Sequence, residues 1–394
     1  EMNNYLKTTA GLLLSATMVT ASHADVTIGE LQAFTGPIES MIPAMSSGAH
    51  LAVTEANASG NYLQGTINVV SGDSVCIDPA VAIAGARKMI NEDNVIAIFG
   101  PNCSGNTGAV ITNVAVPNGV VVISPSATSG ALTDVESDGW FFRTAPSDAR
   151  QSILLADIAI SRGQTDMAVT YSNSDYGKGL ADAFVTAYTA NGGSVTVLAA
   201  HEDDKADYSA DIAALSAGGS TTLAVFGYAD TGGRGIITAS EDTGAFMDYV
   251  FADGMISSSI AESVADGSWG TLPAPDVALG ANWEAVAAAG GFDGTGVFSG
   301  QSYDAMALII LASQAAGSSD RAAIKAEVMG IANGPGIQCH AGELAACLKY
   351  VSGGLVVDYV GATGVEFDAT GTGSSSYSES EVIAGAFTSV KTHK

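Results

Sequence analysis

An alternation of short apolar runs with stretches of helical periodicity, begun twice along the chain, constrains this sequence more than any other feature. The first round predicts strands at Val26–Leu31, Thr66–Val70, Val95–Phe99 and Val120–Ile123. Between them it predicts helices at Pro43–Ala56, Asp78–Ile90 and Asn106–Ala115. In the second of these helices Asp78 is a suitable N-cap, and Pro79 suits the first turn. After Arg143-Thr144-Ala145-Pro146 the pattern starts afresh. It predicts helices at Ser152–Ser161, Gly177–Ala190, Tyr208–Ala217 and Gly232–Thr243, and strands at Met167–Tyr171, Val195–Leu198, Leu223–Phe226 and Tyr249–Ala252. Alternating strand and helix implies parallel sheets with right-handed crossovers. The apolar runs are short and not clearly alternating, as expected of strands covered on both faces. The fold class is therefore α/β, in two units of similar architecture.

The remainder is less regular. Residues 254–300 are rich in Gly and Ala and predict no clear element. Helices follow at Ser302–Ala316 and Arg321–Ile331. Residues 334–373 read as loop with short extended pieces at Asp358–Val360 and Val365–Phe367. Ser374–Ser380 is low-complexity and reads as a mobile loop, with a last strand at Val382–Phe387.

The chain of 394 residues is long enough for two domains, and its 41 acidic against 14 basic residues give a formal charge of −27. Such a field repels nucleic acid and anionic lipid, so neither is an expected partner. Met2, Lys7, the small apolar run Ala10–Thr20 and Ser22-His23-Ala24 have the order of a secretory signal at residues 1–24. Its removal would take away one acid, Glu1, and one base, Lys7, leaving the charge unchanged. An exported product is expected.

Two apolar runs within residues 98–131 end in loops of Gly, Ser, Thr and Asn. Such loops expose backbone amides and hydroxyls that can hold an anionic or dipolar group. No nucleophile elbow, His-Glu-x-x-His or phosphate loop is present, so the sequence favours binding over catalysis and implies no cofactor. His201-Glu202-Asp203-Asp204 reads as a solvated loop, and no metal site is predicted. Ser104 and Thr128 can donate to a carboxylate, and the Ala127 carbonyl can accept from an ammonium. Tyr176 and Asp253 each follow a predicted strand, where open α/β sheets place their ligands. Each of these residues also has an ordinary alternative: a helix cap for Ser104, a turn residue for Thr128, a buried wall for Tyr176, and a cap or turn for Asp253.

Four cysteines in an exported chain allow three pairings. Cys76 and Cys103 each lie just beyond an apolar run, in loops that could meet at a sheet edge. Cys339 and Cys347 bracket a short loop and a helix start. The expected bridges are Cys76–Cys103 and Cys339–Cys347.

An ordered set of motifs resembles the type I substrate-binding proteins of branched-chain amino acid ABC transporters. It includes Thr35-Gly36-Pro37, Ile98-Phe99-Gly100-Pro101, Ile123-Ser124-Pro125 with Ala127-Thr128, Phe142-Arg143-Thr144, Tyr176-Gly177-Lys178-Gly179, Asp207-Tyr208-Ser209 and Asp358-Tyr359-Val360-Gly361-Ala362. The resemblance implies two Rossmann-like lobes joined by three hinge crossovers. Lobe 1 would comprise residues 25–144 and 274–370, and lobe 2 residues 145–273 and 371–394. It implies that Ser104, Ala127 and Thr128 meet an amino acid's head group from one lobe, and Tyr176 and Asp253 from the other. Met41 and Asp230 would stand at altered positions of the side-chain wall, with Phe298 as its aromatic. The implied protein is a periplasmic monomer that hands a small zwitterion to an inner-membrane ABC permease. A soluble sensory module for a small amide, urea or aromatic acid is the competing expectation, and an exported hydrolase the least supported. Unfolded, unreduced protein treated with a thiol reagent should show no reactive thiols; four would overturn both bridges.

Overall fold

The computed structural model describes residues 25–394, so the expected signal sequence lies outside the described residues. Five strands form the first sheet: β1 (Val26–Gln32), β2 (Ile67–Asp73), β3 (Ala97–Phe99), β4 (Val121–Ser124) and β5 (Phe141–Arg143). All pair in parallel, in the order β2-β1-β3-β4-β5. Strands β6 (Asp166–Ser172), β7 (Ser194–His201), β8 (Thr222–Phe226), β9 (Asp248–Phe251) and β10 (Trp269–Ala274) repeat that order as β7-β6-β8-β9-β10, again in parallel. A small parallel pair, β11 (Ile337–His340) with β12 (Val357–Gly361), stands apart. An antiparallel hairpin, β13 (Ser376–Ile383) and β14 (Ala386–His393), extends the second sheet beyond β10. The chain passes between the two sheets three times: after Arg143, after Ala274, and through the Thr372–Gly373 segment that bridges to Arg143 and Phe367.

The strands form where Val, Ile and Phe recur without interruption, and those of the first sheet's centre are wholly buried: Ala97–Phe99 and Val121–Ser124 expose nothing. Helices cover both faces. The helix Ser299–Ala316 lies at the heart of the first lobe, buried at every residue from Ser299 to Gln314. Its only acid, Asp304, is fully buried and accepts four hydrogen bonds: from the Tyr359 hydroxyl (2.8 Å), the amides of Ala362 (2.7 Å) and Thr363 (3.0 Å), and the Thr363 hydroxyl (2.6 Å). This carboxylate anchors the turn after β12 to the central helix.

Several expectations need correction. Ser374–Ser380 is not a mobile loop: most of it lies in β13, and the single last strand expected at Val382–Phe387 is instead the end of β13 (Val382, Ile383) and the start of β14 (Ala386, Phe387), with the turn at Ala384–Gly385 between them. The serines there are buried because they satisfy one another, Ser378 with Ser380 (3.2 Å) and Ser389 (2.7 Å). Residues 254–300 hold β10 and the helix Val277–Ala289. The loop-rich stretch from 334 holds β11 and the helix Leu344–Ser352 as well. The helix expected to start near Asn106 starts at Ser104. His201 is not solvated but buried at the end of β7, against the Thr170 hydroxyl (2.8 Å), and burial pushes its imidazole down to about 4. The two cysteine pairs stand at disulfide positions, with Cα separations of 5.4 Å for Cys76–Cys103 and 5.9 Å for Cys339–Cys347.

Asp304→Ala would leave four buried donors unpaired, and denaturant unfolding should show a loss of about 3 kcal/mol or more.

Candidate functional site

In a parallel sheet ordered 2-1-3-4-5 the loops after the first and third strands leave in opposite directions and open a crevice at the carboxyl ends. Here two such crevices face each other. Residues after β1 (Ile38, Met41, Met45), β3 (Asn102, Cys103, Ser104) and β4 (Ser126) meet residues after β6 (Tyr176), β8 (Tyr228) and β9 (Asp253, Gly254). With Phe298 they enclose about 330 Å³ of atom-free space, the mouth included.

The loops are held by their own chemistry. Gly100 has φ +101°, and a Cβ there would lie 2.0 Å from the Leu31 carbonyl oxygen, so only glycine lets the β3 loop run beside β1. Asn102 then ties three loops together. Its Oδ1 accepts from the Ala33 amide (2.9 Å), and its Nδ2 donates to Gln32 Oε1 (3.2 Å) and Ser126 Oγ (3.4 Å). The helix Ser104–Val110 opens directly onto the cleft, and its first amides lack intrahelical partners. The Ser104 hydroxyl accepts from the Ser129 amide (3.1 Å), which leaves its proton free to donate.

On the facing lobe the Tyr176 hydroxyl donates to Asp253 Oδ1 (3.2 Å) and accepts from the Gly254 amide (3.1 Å). Tyr176 therefore fixes Asp253 rather than offering a free donor of its own. Its ring stacks on Tyr228 with centroids 5.2 Å apart. Asp253 is only 3% exposed, and burial pushes its carboxyl up to about 6, against the lowering effect of its hydrogen bonds. No lysine or arginine lines the cavity. The site therefore offers hydroxyls and amides on one side, an acid with no cation of its own on the other, and apolar walls from Ile38, Met41, Met45 and Phe298.

Of the residues singled out from sequence, Met41, Ser104, Tyr176, Asp253 and Phe298 border this cavity; Ala127, Thr128 and Asp230 do not. The Ala127 carbonyl accepts from Arg143 Nη1 (3.0 Å), and Thr128 is buried beneath the loop. Asp230, placed by sequence in the side-chain wall, instead fastens the two lobes at the rim. Its carboxylate accepts from the Ser40 amide (2.8 Å), and its own amide donates to the Pro37 carbonyl (3.2 Å). Across the opposite rim Ser129 Oγ donates to the Asp175 carbonyl (3.3 Å). Sequence reasoning missed Asn102, Ser126 and Tyr228, although each stands just past the carboxyl end of a predicted strand. Among the described residues no group of three or more His, Cys, Asp or Glu could hold a metal, and no helix is long and apolar enough to cross a membrane.

The family model for periplasmic binding proteins matches residues 25–332, well over half of the chain. The chain belongs to the periplasmic binding protein family. A curated relative, the Leu/Ile/Val-binding protein BraC3 of Rhizobium johnstonii, is 28% identical over 269 residues, 68% of this chain and 72% of that protein. Among solved structures, the branched-chain amino acid transporter substrate-binding protein LivJ of Streptococcus pneumoniae, in complex with isoleucine, superposes with a TM-score of 0.75 at 22% identity. The match covers 94% of this chain and 99% of that one. A solute-binding protein of an ABC transporter from R. palustris, in complex with 4-hydroxybenzoate, gives 0.76 at 20% identity, covering 94% and 97%. The family resemblance read from sequence, the two-lobed α/β fold and the non-enzymatic class are borne out. This is a solute-binding protein of ABC-transporter type, and the family implies a periplasmic location.

Because folding raises the pKa of Asp253 from 3.8 to about 6, the folded form binds the proton more tightly than the unfolded chain. Stability from this group is present below about pH 4 and lost as pH rises through 6. Ligand-free Asp253→Asn should therefore melt higher than the native protein at pH 8, with the gain shrinking to nothing near pH 4 in thermal scans.

Proposed function

We propose that this binding protein captures a small zwitterion, most simply an amino acid, and delivers it as a monomer to an ABC permease. In this reading the lobes, residues 25–144 with 274–370 and 145–273 with 371–394, close on the ligand as rigid bodies. The carrying observation is the buried, Tyr176-held carboxylate of Asp253 at the end of a cavity without a cation. An ammonium neutralises that charge where nothing in the protein does. The ligand's carboxylate then takes the opposite end, where the Ser104 proton and the unpartnered amides of the helix Ser104–Val110 can donate to it. The apolar walls suit a hydrocarbon side chain.

Solved relatives of this fold hold both an amino acid and an aromatic acid. The two differ in what they ask of Asp253: isoleucine brings a cation to it, 4-hydroxybenzoate brings none. The buried acid favours the first.

Calorimetric titration of amino acids and 4-hydroxybenzoate tests this. An amino acid should bind the native protein, and Asp253→Ala should weaken it by ~2–5 kcal/mol, the range for stripping a buried charge of its partner. Binding of 4-hydroxybenzoate alone, or an affinity unmoved by the substitution, would overturn the proposal.

A further inference from the structure

Ser104, Tyr176 and Asp253 take the head group in the reading given above, and Tyr228 stacks on Tyr176. Two polar residues of the cavity lining, Asn102 and Ser126, are left without a part. The Asn102 carboxamide is set one way round. Its Oδ1 is taken by the Ala33 amide (2.9 Å), so the side that remains is the NH2 group. One of its two hydrogens goes to Gln32 Oε1 (3.2 Å). The other has a long contact to Ser126 Oγ (3.4 Å) and a weak acceptor, Met45 Sδ, at 3.7 Å. Both of those residues line the cavity, so this underused hydrogen lies at its wall. The Ser126 proton goes to the Asn102 carbonyl (3.2 Å), which leaves the Ser126 oxygen as an acceptor beside it.

What turns Asn102 this way lies behind it. Gln32, at the end of β1, is buried, and both hydrogens of its Nε2 are taken, by Glu30 Oε1 (2.6 Å) and by Ser46 Oγ (2.7 Å). Its Oε1 is therefore the side that meets Asn102. Glu30 stands two residues back on the same strand and is 1% exposed. Its Oε1 also accepts from Ser46 Oγ (2.8 Å), and its Oε2 accepts from Ser71 Oγ (2.8 Å) and His50 Nε2 (2.9 Å). Ser46 and His50 come from the helix Ile42–Ser59, and Ser71 from β2. Burial acts to raise the Glu30 carboxyl, but His50 and the two hydroxyls hold it below its ordinary value. An ionised carboxylate only accepts. Gln32 cannot turn over without setting its own oxygen against that charge.

We propose that Glu30 is a positioning residue of the binding site: through Gln32 it locks the Asn102 N–H at the cavity wall, and the site thereby selects an amino acid whose side chain carries a hydroxyl or carboxamide on a short hydrocarbon stem. The inference rests on the amino-acid reading given above. A hydroxyl both donates and accepts, so one group of the ligand answers the Asn102 hydrogen and the Ser126 oxygen together. A carboxamide does the same with its oxygen and its nitrogen. A methyl group in that place leaves a buried donor and a buried acceptor unpaired, and a site built for a hydrogen bond discriminates strongly against such a ligand. Ile38, Met41, Met45 and Phe298 surround the stem.

Titration calorimetry with two matched pairs tests this. L-homoserine and L-norvaline differ by a hydroxyl in place of a methyl, and L-asparagine and L-leucine by a carboxamide in place of an isopropyl group. Native protein should bind the polar member of at least one pair about tenfold or more tightly than its hydrocarbon partner. Asn102→Leu should remove that preference. Glu30→Gln sets a donor behind Gln32, lets that carboxamide turn over, and should shrink the preference several-fold, chiefly by weakening the polar ligand, in a protein that thermal scans show to be folded. A folded Glu30→Gln that keeps the native preference overturns the positioning role of Glu30. A native protein that binds norvaline and leucine as tightly as their polar partners overturns the selection and leaves the amino-acid reading standing. One that binds none of the four overturns both.

Discussion

A single buried guanidinium holds the cleft in shape. Arg143 ends the last strand of the first sheet, is fully buried, and spends its donors on the loop after β4 and on Thr372 in the third crossover. That loop includes Ser129, whose amide bonds the Ser104 hydroxyl and whose own hydroxyl reaches Asp175 on the facing lobe. One cation thus links the strand end, the ligand loop, the start of the site helix and the chain's return between lobes. Its donors meet neutral acceptors, which suits a residue whose task is to fix geometry.

The chemistry of the cleft follows from what surrounds this frame. The lobes share one continuous apolar cluster: Ile38, Met41, Met45, Cys103 and Phe298 from one side pack with Tyr176, Tyr228 and Met255 from the other. Burying that surface favours closure. Closure also dehydrates Asp253 and Asp148, which disfavours their ionised forms. The two tendencies oppose each other, and under the proposed amino-acid reading an entering ammonium would relieve the opposition. Asp230 and Ser129, at opposite rims, add hydrogen bonds that exist only when the lobes meet.

Much of this was legible beforehand. Ala97–Phe99 and Val121–Ser124 are strands because uninterrupted apolar runs have nowhere to go but a sheet covered on both faces. Ser104, Tyr176 and Asp253 could be picked out because each follows such a run. The hairpin β13–β14 was illegible, since Ser378, Ser380 and Glu379 look solvated until their partners are known. Those partners are Ser389 for Ser378, Ser378 itself for Ser380, and Arg162 and His393 for Glu379, which pairs with them at 2.7 and 2.8 Å. Asp230 was misplaced for the same reason: its partners, Ser40 and Pro37, lie about 190 residues away in sequence.

Taken alone, the sequence determined the fold class, the paired α/β repeat and the family, because periodicity and ordered motifs are local properties that survive without coordinates. Tertiary structure decided which polar residues face the ligand, which fasten the rims and which lie unpaired beneath them. Those roles depend on burial and on partners distant in the chain. A carboxylate's charge state is set by what surrounds it in space, which no neighbour in sequence reports.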